Sequence, residues 1–560
     1  MVRLFSDDYN ISRRESIILG CFGIAALASA AQLVNVQFIH GEEYRAAAVN
    51  SRTRADSVPS RRGTIYDRNG NILAASVDAV DVYVNPREIT DVEQASRALA
   101  EVLGGEAKDY VDLLTIDTTF VYIQRQAEVE QGDRLREKEI AGLHLINSVK
   151  RVYPYGAVGG QVIGYVNVDG EGISGLELYY NDILSGTDGS YSRQMGLYDA
   201  PIPGGVDYDI EPIDGEDIVV SLDVEMQSFL EERVAKEVER VEGADGTGVL
   251  MDGSTGEILA ICSTPYFDCT HPEKSEIGSE SVKGIVRAFE PGSVFKTPAM
   301  VAVLETGAVT PDTVVECPVS LEADEYEVSD AHERPACDMT ARQILADSSN
   351  VGITLLVKEY LGFSSLYKRV GEFGFTSTTG VDYPGESAGY LAEDIDSWSI
   401  ISKYNLSFGQ GVMVTPMQLC RFYGALANGG VACTPHFLIS KPQTGEVAQY
   451  DAETIITDGQ VLADTISMLE SVVTDGTGKD ARVEGFTVAG KTGTAEYADP
   501  ETGGYVEGRY NLDFVGFLPE ATVPLVCFTS VTEVAYETST TALFSDIMTE
   551  AVARYRIAQL

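Results

Sequence analysis

The sequence predicts an α+β protein in three parts: one N-terminal transmembrane helix, an elongated β-rich pedestal, and a C-terminal domain whose antiparallel sheet is flanked by helices, with a helical lobe inserted. Three observations carry this. Residues 16–38 contain no charged side chain. Residues 39–214 mix short strand patterns with glycine-rich turns. In residues 215–560, strand patterns stand at both ends and helical periodicity fills the middle, as expected when segments distant in sequence close one sheet.

The apolar segment comes first. At 1.5 Å per residue, residues 16–38 span a hydrocarbon core of roughly 30 Å. Arg13 and Arg14 precede it, which favours a cytoplasmic tail over residues 1–15 and an extracytoplasmic body beyond the membrane. A cleaved signal peptide is the competing reading, and the segment is long for one. A short helix is expected over residues 41–50. Around Asn69-Gly70, the apolar stretches of residues 61–74 read as two short strands joined by a tight turn. Residues 92–103 read as a helix. No nucleophile with partners, metal cluster or phosphate loop stands out in the pedestal, residues 39–214.

The domain over residues 215–560 opens with Met226, Phe229, Leu230, Val234, Val238 and Val241 at helical spacing. An apolar hairpin follows, residues 248–251 and 258–261. From Ser293 to about residue 430 the pattern is mainly helical, including residues 340–346 and 351–361. Strands return at residues 486–489, 514–518 and 525–531, and a last amphipathic helix runs over about residues 540–555.

Composition narrows the function. The 44% hydrophobic and 22% charged content describes a globular chain. A net charge of −46 repels phosphate backbones and argues against nucleic acid as partner. The eight cysteines form no C-x-x-C pair and no cluster with the five histidines, so no metal and no cofactor is expected. Cys317 and Cys337, both in a loop-like stretch, are the pair suited to a disulfide, which spacing alone does not establish.

Ser293 and Lys296 stand three apart at the predicted start of a helix, on one face. Ser348-Ser349-Asn350 follows at a turn between two predicted helices, and Lys491-Thr492-Gly493-Thr494 continues an apolar strand. A serine hydroxyl needs a base to become a nucleophile. No histidine is well placed in these motifs, so the base is a lysine, Lys296, with its pKa lowered by desolvation and by Lys491. Residues 485–492 also satisfy the P-loop pattern G-x-x-x-x-G-K-[ST], but apolar residues fill the loop and no helix starts at the lysine.

These three motifs, in this order, resemble those of the penicillin-recognising serine enzymes, and in particular the class B, monofunctional penicillin-binding proteins of division or sporulation type. Arg62-Gly63-Thr64-Ile65-Tyr66-Asp67-Arg68-Asn69-Gly70, Arg151-Val152-Tyr153-Pro154 and residues 172–177 are similar to the family's pedestal motifs. Phe408-Gly409-Gln410-Gly411 and Phe514-Val515-Gly516-Phe517 are similar to its catalytic ones. Asp513 stands where many relatives have serine or alanine. The resemblance implies a penicillin-binding, β-lactamase-like transpeptidase domain on a dimerisation-type pedestal. It also implies a peptidoglycan D,D-transpeptidase that cross-links stem peptides through acyl-Ser293 and is a β-lactam target. Ser348 would relay protons and Asn350 hold the substrate amide. Lys491, Thr492, Gly493 and Thr494 would bind its terminal carboxylate, and the backbone N–H groups of Ser293 and Thr494 would form the oxyanion hole. A membrane glycosyltransferase is the implied partner, met through the transmembrane helix and pedestal. A β-lactam sensor or a catalytically silent scaffold of the wall-synthesis machinery is the alternative. A β-lactamase is the enzymatic rival, but no carboxylate offers itself as the deacylating base.

Overall fold

The computed structural model describes residues 13–44, 53–194, 208–498, 505–536 and 538–560. The expected tail lies outside them up to residue 12, and the helix expected over residues 41–50 is described only to residue 44. The chain divides into two compact units, Met1–Ser60 with Thr187–Ile213, and Arg61–Gly186 with Asp214–Leu560.

In the first unit the helix Arg13–Val34 continues through a wider turn, Asn35–Ile39. Residues Glu15–Ile39 are long and apolar enough to cross a membrane. Phe22, Ile24 and Leu27 are about 70% exposed, apolar surface suited to lipid. A three-stranded antiparallel sheet, Thr53–Val58, Gly189–Gln194 and Tyr208–Ile210, completes the unit.

The second unit begins with the predicted hairpin: Ile65–Tyr66 pairs with Ile72–Val84. The second strand is far longer than its turn-proximal pattern, because Val121–Ala127 and Leu143–Val152 pair along it. The helix Val92–Leu103 forms where periodicity places it, its first turn capped by Asp91. Three pedestal motifs meet at Glu177, which is fully buried and takes Arg62 Nε at 2.5 Å and Arg151 Nε at 2.7 Å. Removing one partner of such a buried pair costs about 3–5 kcal/mol, because the other charge is stranded.

The main sheet has five antiparallel strands in the order Ile258–Ser263, Gly246–Asp252, Leu525–Val534, Tyr505–Phe517, Ala489–Ala498. Its side chains alternate between two cores. Val249 and Met251 join Met300 and Tyr423, from the helices Lys296–Leu304 and Pro416–Ala427. Leu250 joins Leu230 and Phe544, from Val224–Val241 and Thr541–Tyr555. With helices on both faces, the inner strands are apolar at successive positions.

Two expectations need correction. The strand placed at residues 486–489 begins only at Ala489, while its expected continuation through Lys491 to Thr494 is present and extends to Ala498. Pairing with Tyr505–Phe517 holds Gly490 opposite Gly516 and Gly493 opposite Asp513 in the ladder. The lobe between Ser293 and residue 430 is also not mainly helical throughout. Val314–Cys317 pairs with Cys337–Thr340, and Ser320–Ala323 with Tyr326–Ser329. Four-residue strands carry too little periodicity to announce themselves. Cys317 and Cys337 fall opposite one another and are free thiols.

Candidate active site

Ser293 does not open an α-helix directly; it sits in a tighter 3₁₀ turn, Gly292–Phe295, that feeds the α-helix Lys296–Leu304. In a 3₁₀ turn residues three apart eclipse, so Lys296 stacks on Ser293 and its Nζ reaches Ser293 Oγ at 3.0 Å. The turn is held from outside. Gly292 N–H donates to Gly409 O at 3.1 Å, and a Cβ on Gly409, whose φ is +81°, would lie 2.3 Å from Gly292 O. Tyr423 Oη donates to Val294 O at 3.0 Å.

Ser348 has φ +59°, a left-handed conformation uncommon for serine. It aims Ser348 Oγ between two ammonium groups, 3.0 Å from Lys296 Nζ and 3.0 Å from Lys491 Nζ. Lys296 also donates to Ser348 O. Ser349 caps the helix Asn350–Leu356 through Gly352 N–H. Its Oγ donates to both carboxylate oxygens of Asp330, at 3.0 and 2.9 Å, and Asp330 also accepts Val351 N–H. Asn350 Nδ2 donates to Ser329 O at 3.0 Å.

Lys491, Thr492, Gly493 and Thr494 lie on the edge strand of the main sheet, which among the described residues leaves one side of its backbone without a neighbouring strand. Thr492 Oγ1 and Thr477 Oγ1 are 2.6 Å apart. Ser293, Ser348, Asn350, Thr492 and Thr494 line a cleft of about 600 Å³.

Both lysines are almost wholly buried. Burial lowers the Lys296 amine well below the ordinary lysine value, and the charge of Lys491 pushes the same way, against a smaller opposing pull from Asp330. Burial lowers Lys491 to about 7. Asp513, paired across the ladder with Gly493, is buried with neither carboxylate oxygen hydrogen-bonded among the described residues. Burial pushes its carboxyl up to about 7, with Ser530 acting against the shift.

All the residues singled out in the three motifs therefore converge. Sequence reasoning missed Asp330, Thr477 and Tyr423. A lone aspartate in a loop and a threonine before Gly478 carry no local signal, and Tyr423 reads as one more apolar helix position.

A serine hydroxyl in contact with a buried lysine, beside a Lys-Thr-Gly-Thr edge strand, is the arrangement of the penicillin-recognising serine acyltransferases. The family model described as "Penicillin binding protein transpeptidase domain" matches residues 246–549, and "Penicillin-binding Protein dimerisation domain" matches residues 57–220. The chain belongs to the class B penicillin-binding proteins, which carry both. It is 31% identical to penicillin-binding protein PbpB of Mycobacterium tuberculosis, over 88% of this chain and 77% of the relative. Stage V sporulation protein D of Bacillus subtilis is 30% identical, over 93% of this chain and 81% of the relative. The crystal structure of penicillin-binding protein 3 from Mycobacterium tuberculosis, complexed with aztreonam, superposes with a TM-score of 0.69 at 26% identity, covering 90% of this chain and 98% of the other.

Proposed function

We propose that Ser293 is the nucleophile with which this peptidoglycan D,D-transpeptidase cross-links stem peptides, and that Lys296 is its base. The observation that carries the assignment is the 3.0 Å contact between Lys296 Nζ and Ser293 Oγ, at an amine whose burial favours the neutral form. Neutral Lys296 takes the hydroxyl proton as Ser293 Oγ attacks the carbonyl of the D-alanyl-D-alanine bond. The backbone N–H groups of Ser293 and Thr494 receive the oxyanion, each donor contributing about 3–4 kcal/mol. Ser348, between both lysines, passes the proton to the departing D-alanine amine. Asn350 holds the substrate amide. Lys491, Thr492 and Thr494 take the terminal carboxylate, with Gly493 keeping the strand open to it. An arriving carboxylate raises the Lys491 pKa and restores its charge. The amine of a second stem peptide then attacks acyl-Ser293, closing the cross-link and freeing the serine. A β-lactam enters as donor and stays as the acyl-enzyme.

In this reading residues 16–38 anchor the chain with residues 1–15 in the cytoplasm. Residues 39–214 are the pedestal and residues 215–560 the catalytic domain, both outside. The transmembrane helix and pedestal meet a membrane glycosyltransferase that supplies the strands. Similarity to a stage V sporulation protein favours a sporulation or division role; depletion followed by microscopy distinguishes filaments, round cells and defective spores. The direct test is labelling with a fluorescent penicillin and peptide mapping. Label on Ser293, with cross-linking lost in Ser293→Ala, is expected. Unchanged cross-linking by that variant overturns the assignment.

A further inference from the structure

Asp513 takes no part in the acylation steps above, yet it lies against the two elements that carry them. The strand register sets Gly493, Asp513, Ser530, Thr247 and Ser263 side by side across the five strands of the main sheet. Opposed residues project from the same face, so the last four form one polar row, and all four are buried. The next row on that face, Val515, Phe528, Val249 and Ile261, is apolar. At its far end the polar row is satisfied: Thr247 Oγ1 and Ser263 Oγ are 3.4 Å apart, and Ser263 N–H donates to Gln161 Oε1 at 2.9 Å. At the Asp513 end, neither carboxylate oxygen has a hydrogen-bond partner among the described residues.

Gly493 contributes no side chain, and the Ser293 turn fills that place. A Cβ on Gly493 would lie 3.1 Å from Asp513 Cβ, 3.1 Å from Val294 Cγ1 and 3.2 Å from Pro291 O. A Cβ on Gly292 would lie 3.2 Å from Ala495 Cβ. The turn therefore rests on residues 493–495 of the edge strand, with Asp513 at its side and Pro291 O as a backbone acceptor beside the same point. Lys491, two residues along that face, does not serve the carboxyl; its Nζ is taken by Ser348 Oγ and Thr492 O. A buried carboxylate without a cation or donor neutralises instead, and burial keeps Asp513 protonated up to about pH 7. A protonated carboxyl is a donor, and a buried donor without a partner calls for one in some state of the molecule.

We propose that Asp513 is a positioning residue for acylation: as the oxyanion forms, the Ser293 turn settles on Gly493 and the Asp513 carboxyl donates to Pro291 O, which keeps the N–H groups of Ser293 and Thr494 on one oxygen atom. The oxyanion hole rests on the proposed function; the contact between Asp513 and the turn does not. Hydrogen bonds of catalytic sites are often long in the unliganded enzyme and tighten in the complex. A bond completed only as charge develops stabilises the transition state over the bound substrate, so it enters the acylation rate and not the initial affinity. The proton stays on Asp513 throughout, and no covalent bond is made or broken there.

The test uses the full chain in detergent at about pH 6, where Asp513 holds its proton. Asp513→Asn keeps the shape and a donor; Asp513→Leu keeps the size and has no donor; Asp513→Ala removes the donor without adding bulk and stands in if the leucine variant does not fold. Stopped-flow labelling with a chromogenic β-lactam over a range of concentrations separates the limiting acylation rate from the half-saturating concentration. Asp513→Leu and Asp513→Ala should lose about tenfold or more in limiting rate at an unchanged half-saturating concentration, and Asp513→Asn should recover most of that loss. On acylation, amide exchange at Val294 and Phe295 should slow about threefold or more in the wild type and Asp513→Asn, and not in the variants without a donor. Equal limiting rates in all the proteins overturn the proposal, as does a loss in Asp513→Asn as large as in Asp513→Leu. A change confined to the half-saturating concentration, or exchange that acylation leaves unaltered in the wild type, overturns it too. Exchange that slows as expected, with the label on a residue other than Ser293, supports the contact with the turn and sinks the assigned nucleophile instead.

Discussion

Lys491 Nζ lies 3.0 Å from Ser348 Oγ, and Lys296 touches the same oxygen at the same distance. One serine hydroxyl thereby separates two buried amines, and the charge of Lys491 makes Lys296 harder to charge. The base needs its neutral form, so acylation should rise with pH through the lowered Lys296 pKa and level off well below the ordinary lysine value. Lys491→Gln removes one of the two influences that lower Lys296. The acid limb of kcat/KM for acylation should therefore move to higher pH, besides any loss of carboxylate binding. An unmoved limb would show that Lys491 does not act on the base.

Lys296→Ala should slow acylation by about 10²–10⁴-fold, the contribution of a positioned general base. The substitution also removes the buried four-carbon stem and leaves a cavity, which lowers stability without touching the other motifs. Stopped-flow labelling with a chromogenic β-lactam, beside a thermal melt, separates lost chemistry from lost structure.

Asp330 acts through Ser349 and Val351 as a positioning residue. Asp330→Ala strands Ser349 Oγ and Arg334, a loss of about 1.5–3 kcal/mol for a hydrogen bond to a charged group. Acylation should fall by about tenfold or more, since the same carboxylate orients the turn bearing Ser348 and Asn350. Asp330→Asn, which keeps one acceptor oxygen, should recover part of both. Loss of stability with an intact acylation rate would make Asp330 purely structural.

Gly409→Ala places a methyl carbon against Gly292 O, at 2.3 Å, in a backbone conformation of φ +81°. Strain of this kind costs about 1–3 kcal/mol, and relief requires the Ser293 turn to shift. The expected result is a lower denaturation midpoint together with slower labelling of Ser293.

Asp513 makes stability depend on pH with a definite sign. Its folded carboxyl titrates near 7, against an ordinary value of 3.8. Between those values the folded chain holds a proton that the unfolded chain has released. Its stabilising contribution is complete below about pH 4 and is lost as pH rises through 7, at up to about 1.4 kcal/mol per pH unit. Asp513→Asn, which has no proton to lose, should flatten the fall in denaturant midpoint between pH 5 and pH 8. An equal fall in both proteins would refute the buried acid.

Much of this was legible from local pattern. The uncharged run of residues 16–38, the stripe from Met226 to Val241, the Asn69-Gly70 turn and the three catalytic motifs each express a constraint that acts over a few residues. Spacing along a helix or strand records such constraints directly. The two hairpins between Val314 and Thr340 were not legible, because strands of four residues depend on the partner they meet.

The sequence by itself determined which residues could carry the chemistry: Ser293 with Lys296, the Ser348–Asn350 turn, and Lys491 to Thr494. Only the tertiary structure decided how they are arranged. It buried both lysines, turned Ser348 between them, ran Lys491 to Thr494 along a sheet edge, and brought Asp330 to the Ser348–Asn350 turn. The reason is physical. Burial, charge proximity and hydrogen bonding join residues from 19 to 143 positions apart, and no local pattern relates the partners.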